Sequence, residues 1–245
     1  ALAASVGTRR PGTPMMWGFG PTPDGEVLLQ QPFQPDFAEL STDIPLLIGK
    51  TFNELQRLQY NRNITLEQAK TELQRTFGDE TDAYIEAFAE AYPDYTPQDL
   101  LSIDWLFRPK TIITADAIAE TRKAKTYMYM FTWRSPVNKG SVHGNELNFC
   151  FNTLERAGNE LPQPTEQDYK VADIMSSVWA QFAHNGNPNI KELPKWKAYT
   201  AENGEMMIID YNCEIRNNPD RKLAEIIDRH CFKQLDEFRK KQAEK

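Results

Sequence analysis

Residues 126–133, TYMYMFTW, leave this chain the fewest structural options. Aromatic and Met side chains stand together with β-favouring Thr, and no breaker interrupts them, so the run predicts a strand. Two further apolar runs resemble it. Ile44 to Ile48 in DIPLLIGK ends at Gly49, and EMMIIDY occupies 205–211. A run that is apolar at nearly every position suits a strand covered on both faces, as in a parallel sheet. Such a sheet needs helices between its strands, and the intervening sequence supplies them. TLEQAKTELQRTFG carries Thr65 as N-cap, Gln68 three residues on and Gly78 as stop. A second helical stretch covers 80–91. TPQDLLSIDWLF predicts another, with Thr96 as cap, Pro97 in the first turn and Asp99 near the positive helix end. Residues 110–123 read as a helix. So do 165–186, with Val171, Ile174, Met175, Val178 and Phe182 on one side and Asn185-Gly186 as the end. A last helix over 219–242 bears the stripe Leu223, Ile226, Ile227, Cys231, Leu235 and Phe238, which fits docking onto the body, with a dimer helix as the alternative. The first 43 residues, rich in Pro and Gly, predict loop with short strands and a turn at Asp24-Gly25. Strands separated by helices indicate an α/β protein. Three strands are few for 245 residues, so the chain reads as helix-rich and as a portion of a larger, mostly parallel sheet.

Charge and composition narrow the function. The net charge is -7, and no long basic run appears before the C-terminal tail, which argues against nucleic acid as a partner. No apolar stretch approaches the roughly 18 residues of a membrane span. The opening ALAASVGTRRPGTP lacks a charged start followed by an apolar block, so it does not read as a signal peptide. It also begins without Met, which suggests a cut or processed chain. Any signal peptide would then lie upstream of Ala1, and the compartment stays open, export included. Cys150, Cys213 and Cys231 are odd in number and far apart, which fits packed free thiols rather than a disulfide framework or a zinc site.

Chemistry concentrates on GSVHGNELNF, residues 140–149. His143 lies in the connection after the clearest strand. A histidine so placed acts as a general base when a carboxylate orients its other ring nitrogen. Glu54, just past the strand in IPLLIGKTFNEL, is the candidate carboxylate. Both residues follow the C-terminal ends of predicted strands, where open α/β sheets build their sites. The metal alternative is weak. His143 and Glu146 have helical spacing, but a site needs three or four ligands. His184 reads as a helix-end residue and His230 as a helix-face residue. Phe52, Trp105 and Phe107 fit either a gorge lining or the core.

Several stretches together resemble the C-terminal half of the type-B carboxylesterases, the cholinesterase-like α/β-hydrolases, and most of all the bacterial para-nitrobenzyl esterases. FGPTPDGEVL resembles the family's F-x-P-x-x-D-G segment, IPLLIGKTFNEL its strand-then-acid segment and YMYMFTW its Y-x-Y-x-F strand. GSVHGNELNFCF resembles the histidine loop, and MSSVWAQFAHNGNPN with WKAYT the helix end and W-x-x-Y that follow. The match runs in order over about residues 17–218, and the histidine loop and Gly-x-Pro-Asn stretch are its most specific parts. The resemblance implies that His143 is the triad base and Glu54 the triad acid. Their order agrees with Ser, then acid, then His. Leu55 stands where the family usually has Gly, and Glu146 is expected to have a structural, hydrogen-bonded role. The resemblance implies no metal and no cofactor.

The family's nucleophile stands in G-x-S-x-G, and no such motif occurs in these 245 residues. Ser141 is close to His143 in sequence, but its loop does not aim it at the imidazole. The Gly-Gly oxyanion loop is missing as well. The expectation is therefore a carboxylic ester hydrolase whose nucleophile lies in the missing N-terminal half, with a small-molecule ester as substrate. This chain, taken as a single C-terminal portion (lead-in 1–43, core 44–218, helix 219–245), is expected to be inactive alone. Unpaired sheet edge and apolar surface predict association, a homo-oligomer such as a dimer. The alternative is a cholinesterase-like binding or adhesion module without catalysis.

Overall fold

The computed structural model describes residues 23–29, 42–55, 63–121 and 123–232. It divides into two units, Ala1–Ser41 and Thr42–Lys245. In the first, the expected Asp24-Gly25 turn forms. The Asp24 carboxylate accepts the N–H groups of Glu26, Val27 and Leu28 at 2.9, 2.9 and 3.0 Å. These bonds favour the carboxylate and hold its pKa below the usual range. Gly25 takes the positive φ the turn requires (79°). Residues 23–29 contain no strand.

The second unit is built on four strands in the order β1 (Leu46–Thr51), β2 (Thr126–Phe131), β3 (Glu205–Ile209) and β4 (Glu214–Asn217). β1 and β3 both run parallel to β2, whereas β4 is antiparallel to β3. The three strands expected from the sequence are present. β4 was not among them, because EIRN is short, polar and partly exposed and shows none of the apolar signal that marked the others.

Helices cover both faces. Between β1 and β2 come α1 (Leu66–Phe77), α2 (Thr81–Ala91), the single turn α3 (Asp99–Ser102) and α4 (Arg108–Thr121). Between β2 and β3 come α5 (Leu147–Cys150) and α6 (Glu166–Asn185), and α7 (Arg221–Cys231) follows β4. Alternation along the strands sorts the core into two. Met128, Met130, Met206 and Ile208 point into a cluster with Leu73, Phe88, Ile112 and the α7 residues Leu223, Ile226 and Ile227. Tyr127, Phe131, Met207 and Ile209 point the other way, against Val171, Met175 and Val178 of α6. Both faces are therefore covered, which explains strands that are apolar at nearly every position. The α7 stripe docks onto the body as far as Cys231. Leu235 and Phe238 lie outside the described residues.

α1 begins as predicted, with the reciprocal bonds of a capping box between Thr65 and Gln68, and stops at Gly78. The helix expected from Thr96 is a correction. It lasts only one turn, because tertiary bonds redirect the chain. Ile103 is extended, the Asp104 N–H reaches the Phe52 carbonyl at 3.2 Å, and the Asp104 carboxylate accepts Leu106 and Phe107 N–H groups before α4. That detour brings Asp104 to the loop after β1 and Phe107 beside the loop after β2.

Candidate active site

β1 and β2 are in parallel register, Thr51 opposite Phe131, so the loops that follow them leave on the same edge of the sheet. The pairing resumes once beyond the strands, as a parallel bridge between Glu54 and Val142. Three backbone bonds lock the loops together. Phe52 donates to the Phe131 carbonyl at 2.9 Å, Asn53 to that of Ser141 at 2.8 Å, and His143 to that of Glu54 at 3.0 Å. Asn53 adds its side chain, accepting the Ser141 N–H at 2.7 Å and donating to the Ser102 carbonyl at 2.9 Å.

This framework sets Glu54 against His143, 89 residues apart in sequence, with Oε2 2.7 Å from Nδ1. The other oxygen, Oε1, accepts the Thr51 N–H at 2.7 Å, and Thr51 Oγ1 accepts the Glu54 N–H at 3.0 Å. Glu54 is thus tied through both oxygens and its own N–H, and its side chain is 8% exposed. An ionised carboxylate only accepts, so at this separation the proton belongs on Nδ1. Nε2 then keeps its lone pair. The His143 side chain is 64% exposed, so the imidazole is open beyond its bond to Glu54. A buried acid orienting an accessible imidazole can take a proton from a nucleophile and return it to a leaving group.

Glu54 adopts φ 43°, in the left-handed region that is uncommon for residues other than Gly. Leu55 is not among the described residues with positive φ. The special backbone geometry of this turn therefore falls on the acid itself, and Leu in place of Gly after it meets no such demand. After His143, Gly144 takes φ 83°, and Asn145 closes the turn by accepting the Val142 N–H through Oδ1 at 2.8 Å.

The remaining candidates separate cleanly. Phe107 lies nearly parallel to the His143 ring, 6.2 Å between centroids at 11°. Phe52 is buried in the core, and the Trp105 indole donates to the Tyr84 hydroxyl at 3.2 Å. Of the three aromatics considered for a gorge, Phe107 is the one beside the imidazole. Ser141 is buried, and its hydroxyl donates to the Phe131 carbonyl at 2.9 Å rather than toward His143. His184 lies in the last turn of α6, and His230 Nε2 sits 2.6 Å from Glu80 Oε2. The hydrogen-bonded role expected of Glu146 needs correction at one oxygen. Oε2 is buried without a partner among the described residues, and burial, with Glu54 nearby, pushes the carboxyl pKa up. Thr51, Asn53 and Asn145 were not singled out from the sequence. Their only signal there is adjacency to Glu54 and His143.

No group of three or more metal-ligating side chains occurs among the described residues, and none of their helices is long and apolar enough to cross a membrane. Residues 8–226 match the carboxylesterase family. The chain belongs to that family. The Bacillus subtilis para-nitrobenzyl esterase is 31% identical over 217 residues, covering 82% of this chain and 41% of the relative. A solved esterase from the anaerobe Clostridium hathewayi, described as able to hydrolyse aliphatic aromatic polyesters, superposes with a TM-score of 0.74 at 26% identity. It covers 86% of this chain and 42% of its own. A Geobacillus stearothermophilus carboxylesterase gives a TM-score of 0.54 at 25% identity, covering 74% and 40%. The carboxylesterase chain described here thus spans about two fifths of the length of these relatives, 41% in the first case. Its mostly parallel sheet and helical layers belong to the α/β-hydrolase fold of these esterases.

Proposed function

We propose that His143 is the general base and Glu54 its orienting acid in the active site of a serine carboxylesterase. The observation that carries this reading is the 2.7 Å contact between a buried, doubly anchored carboxylate and the Nδ1 of an accessible imidazole. In the reaction, a serine hydroxyl contributed by sequence outside these 245 residues attacks the ester carbonyl while Nε2 takes its proton. The imidazolium, steadied by Glu54, then protonates the leaving alcohol, and water releases the acyl group by the same route. No G-x-S-x-G occurs in the chain, so alone it should not turn over esters. The substrate class is a small carboxylic ester. A polyester, as acted on by the Clostridium hathewayi relative, belongs in the substrate panel.

The test compares the full reading frame with its Glu54→Gln and His143→Ala variants on a para-nitrophenyl ester and a polyester film. Glu54→Gln should lower kcat by roughly a thousandfold or more with little change in KM, because the tautomer is lost while binding is not. An unchanged kcat in either variant refutes the assignment. A folded full-length protein with no hydrolysis of any ester would favour the binding-module alternative.

A further inference from the structure

Beneath the Glu54 turn lies a buried charge cluster that the proposed reaction does not use. Arg108, at the start of α4, is fully buried. One end of its guanidinium donates from Nη1 to the Tyr92 hydroxyl at 2.8 Å and contacts the Asp220 carboxylate. Nε donates to the Asp104 carbonyl at 3.2 Å, and Nη2 to the Phe52 carbonyl at 2.9 Å. Tyr92 closes the ring by donating to Asp220 Oδ2 at 3.1 Å. Residues from α2's end, α4, the lead into α7 and the β1 loop therefore meet on one side chain.

Stability is a weak reason for such a cluster. Two charges removed from water repay their desolvation only with excellent geometry, and apolar replacements are often neutral or better. The guanidinium fork, however, can hold several oxygens at fixed angles at once, which an ammonium or a methylene chain cannot. One of those oxygens belongs to Phe52, two residues before Glu54. The Phe52 N–H is held by Phe131 of β2, and its carbonyl by Arg108 and the Asp104 N–H. Glu54 itself sits at positive φ, a conformation that persists only where its surroundings over-determine it.

We infer that Arg108, held by Tyr92 and Asp220, is a positioning residue that fixes the Phe52 carbonyl and so the Glu54 turn against His143. The orientation of the base then depends on Asp220, in the segment leading into α7, which contacts Arg108 and Tyr92. This inference rests on Glu54 being the orienting acid.

The readout is the tautomer of His143, followed by 15N NMR of the ring nitrogens at a pH where the imidazole is neutral. The chain has three histidines, so selective labelling gives a spectrum assignable with His143→Gln. The native chain should favour the Nδ1–H form. Arg108→Met should lower the Nδ1–H to Nε2–H ratio about tenfold, the scale of the equilibrium shift when one hydrogen bond is lost. Tyr92→Phe and Arg108→Lys should move it the same way by less. Tyr211→Phe, which removes a hydroxyl bond to Asp168 in the first turn of α6, should leave it unchanged. If Arg108→Met does not fold, Tyr92→Phe and Arg108→Lys decide, and a native ratio in both overturns the inference. An equal shift in Tyr211→Phe also overturns it. Glu54→Ala separates the two claims. A ratio unmoved by that variant defeats the orienting-acid reading and the inference together. A ratio that responds to Glu54→Ala but to none of the cluster variants defeats the inference alone.

Discussion

Lys50 shows at the scale of one residue how the site region departs from an ordinary core. It is 2% exposed, its Nζ lies 3.8 Å from Asp220 Oδ2, and Nζ has no hydrogen-bond partner among the described residues. Burial lowers its pKa from the usual 10.5 to about 8, more than Asp220 can offset. Burial also works against the Asp220 carboxylate, but Lys50 and Arg108 outweigh it and keep its pKa below the usual range. The sign of the lysine effect follows directly. Between pH 8 and 10.5 the unfolded chain holds a proton that the folded chain has released, so stability rises with pH across that window. Below it the full penalty applies. Lys50→Met should therefore raise stability at pH 7 by about 1–3 kcal/mol and flatten the rise toward pH 10. Urea midpoints of both proteins at pH 7 and pH 10 measure this. A lower midpoint for Lys50→Met at pH 7 would show that the ammonium contributes more than its burial costs.

At the scale of elements, glycine positions show how motif and packing coincide. Gly49 pairs in register with Tyr129, and a Cβ there would collide with the Tyr129 ring, which Trp179 backs at 4.9 Å between centroids. Gly49→Ala must displace a ring wedged between β1 and α6, and should cost about 1–3 kcal/mol, as overpacking in tight cores does. Its urea midpoint should fall with an unchanged slope, and a native midpoint would mean that Tyr129 moves freely. Gly186 ends α6 at φ 71°, where a Cβ would also come 2.6 Å from Pro45, so the helix end is seated on the entry to β1. Immediately after Pro188 the reason for the Asn becomes visible. Asn189 accepts the Trp196 N–H at 2.7 Å and donates to its carbonyl at 2.9 Å.

These elements also show what was legible in advance. Long apolar strands, the Thr65 cap and the Gly186 stop rest on local chemistry, and all appear near their expected places. The α3 turn and β4 do not, because their form depends on bonds to Phe52 and to β3 that no local pattern encodes. Likewise Glu54 and His143 could be paired as candidates from their loops, and they meet at 2.7 Å. The Thr51 bonds to Glu54, and the Asn53 and Arg108 bonds to the loops around it, were not legible, because carbonyl and amide partners leave no trace in residue type.

At the scale of the molecule, the sheet is asymmetric. β4 is short and polar, whereas β1 is apolar and pairs only on its β2 side among the described residues. A parallel edge of that kind is a template for another strand. We expect the isolated chain to associate, with a mass above that of one 28.2 kDa chain in multi-angle light scattering at micromolar concentration. A sharp monomer would show that β1 is covered in another way.

The same edge bears on chemistry, because an acid–base pair without a nucleophile does not complete an esterase. The most direct measurement therefore treats the product of the full reading frame with a serine-directed fluorophosphonate and locates the adduct by peptide mass spectrometry. We predict one modified serine outside residues 1–245, with labelling slowed by at least about a hundredfold in His143→Ala. An adduct on a serine within this chain, or equal labelling without His143, would contradict it.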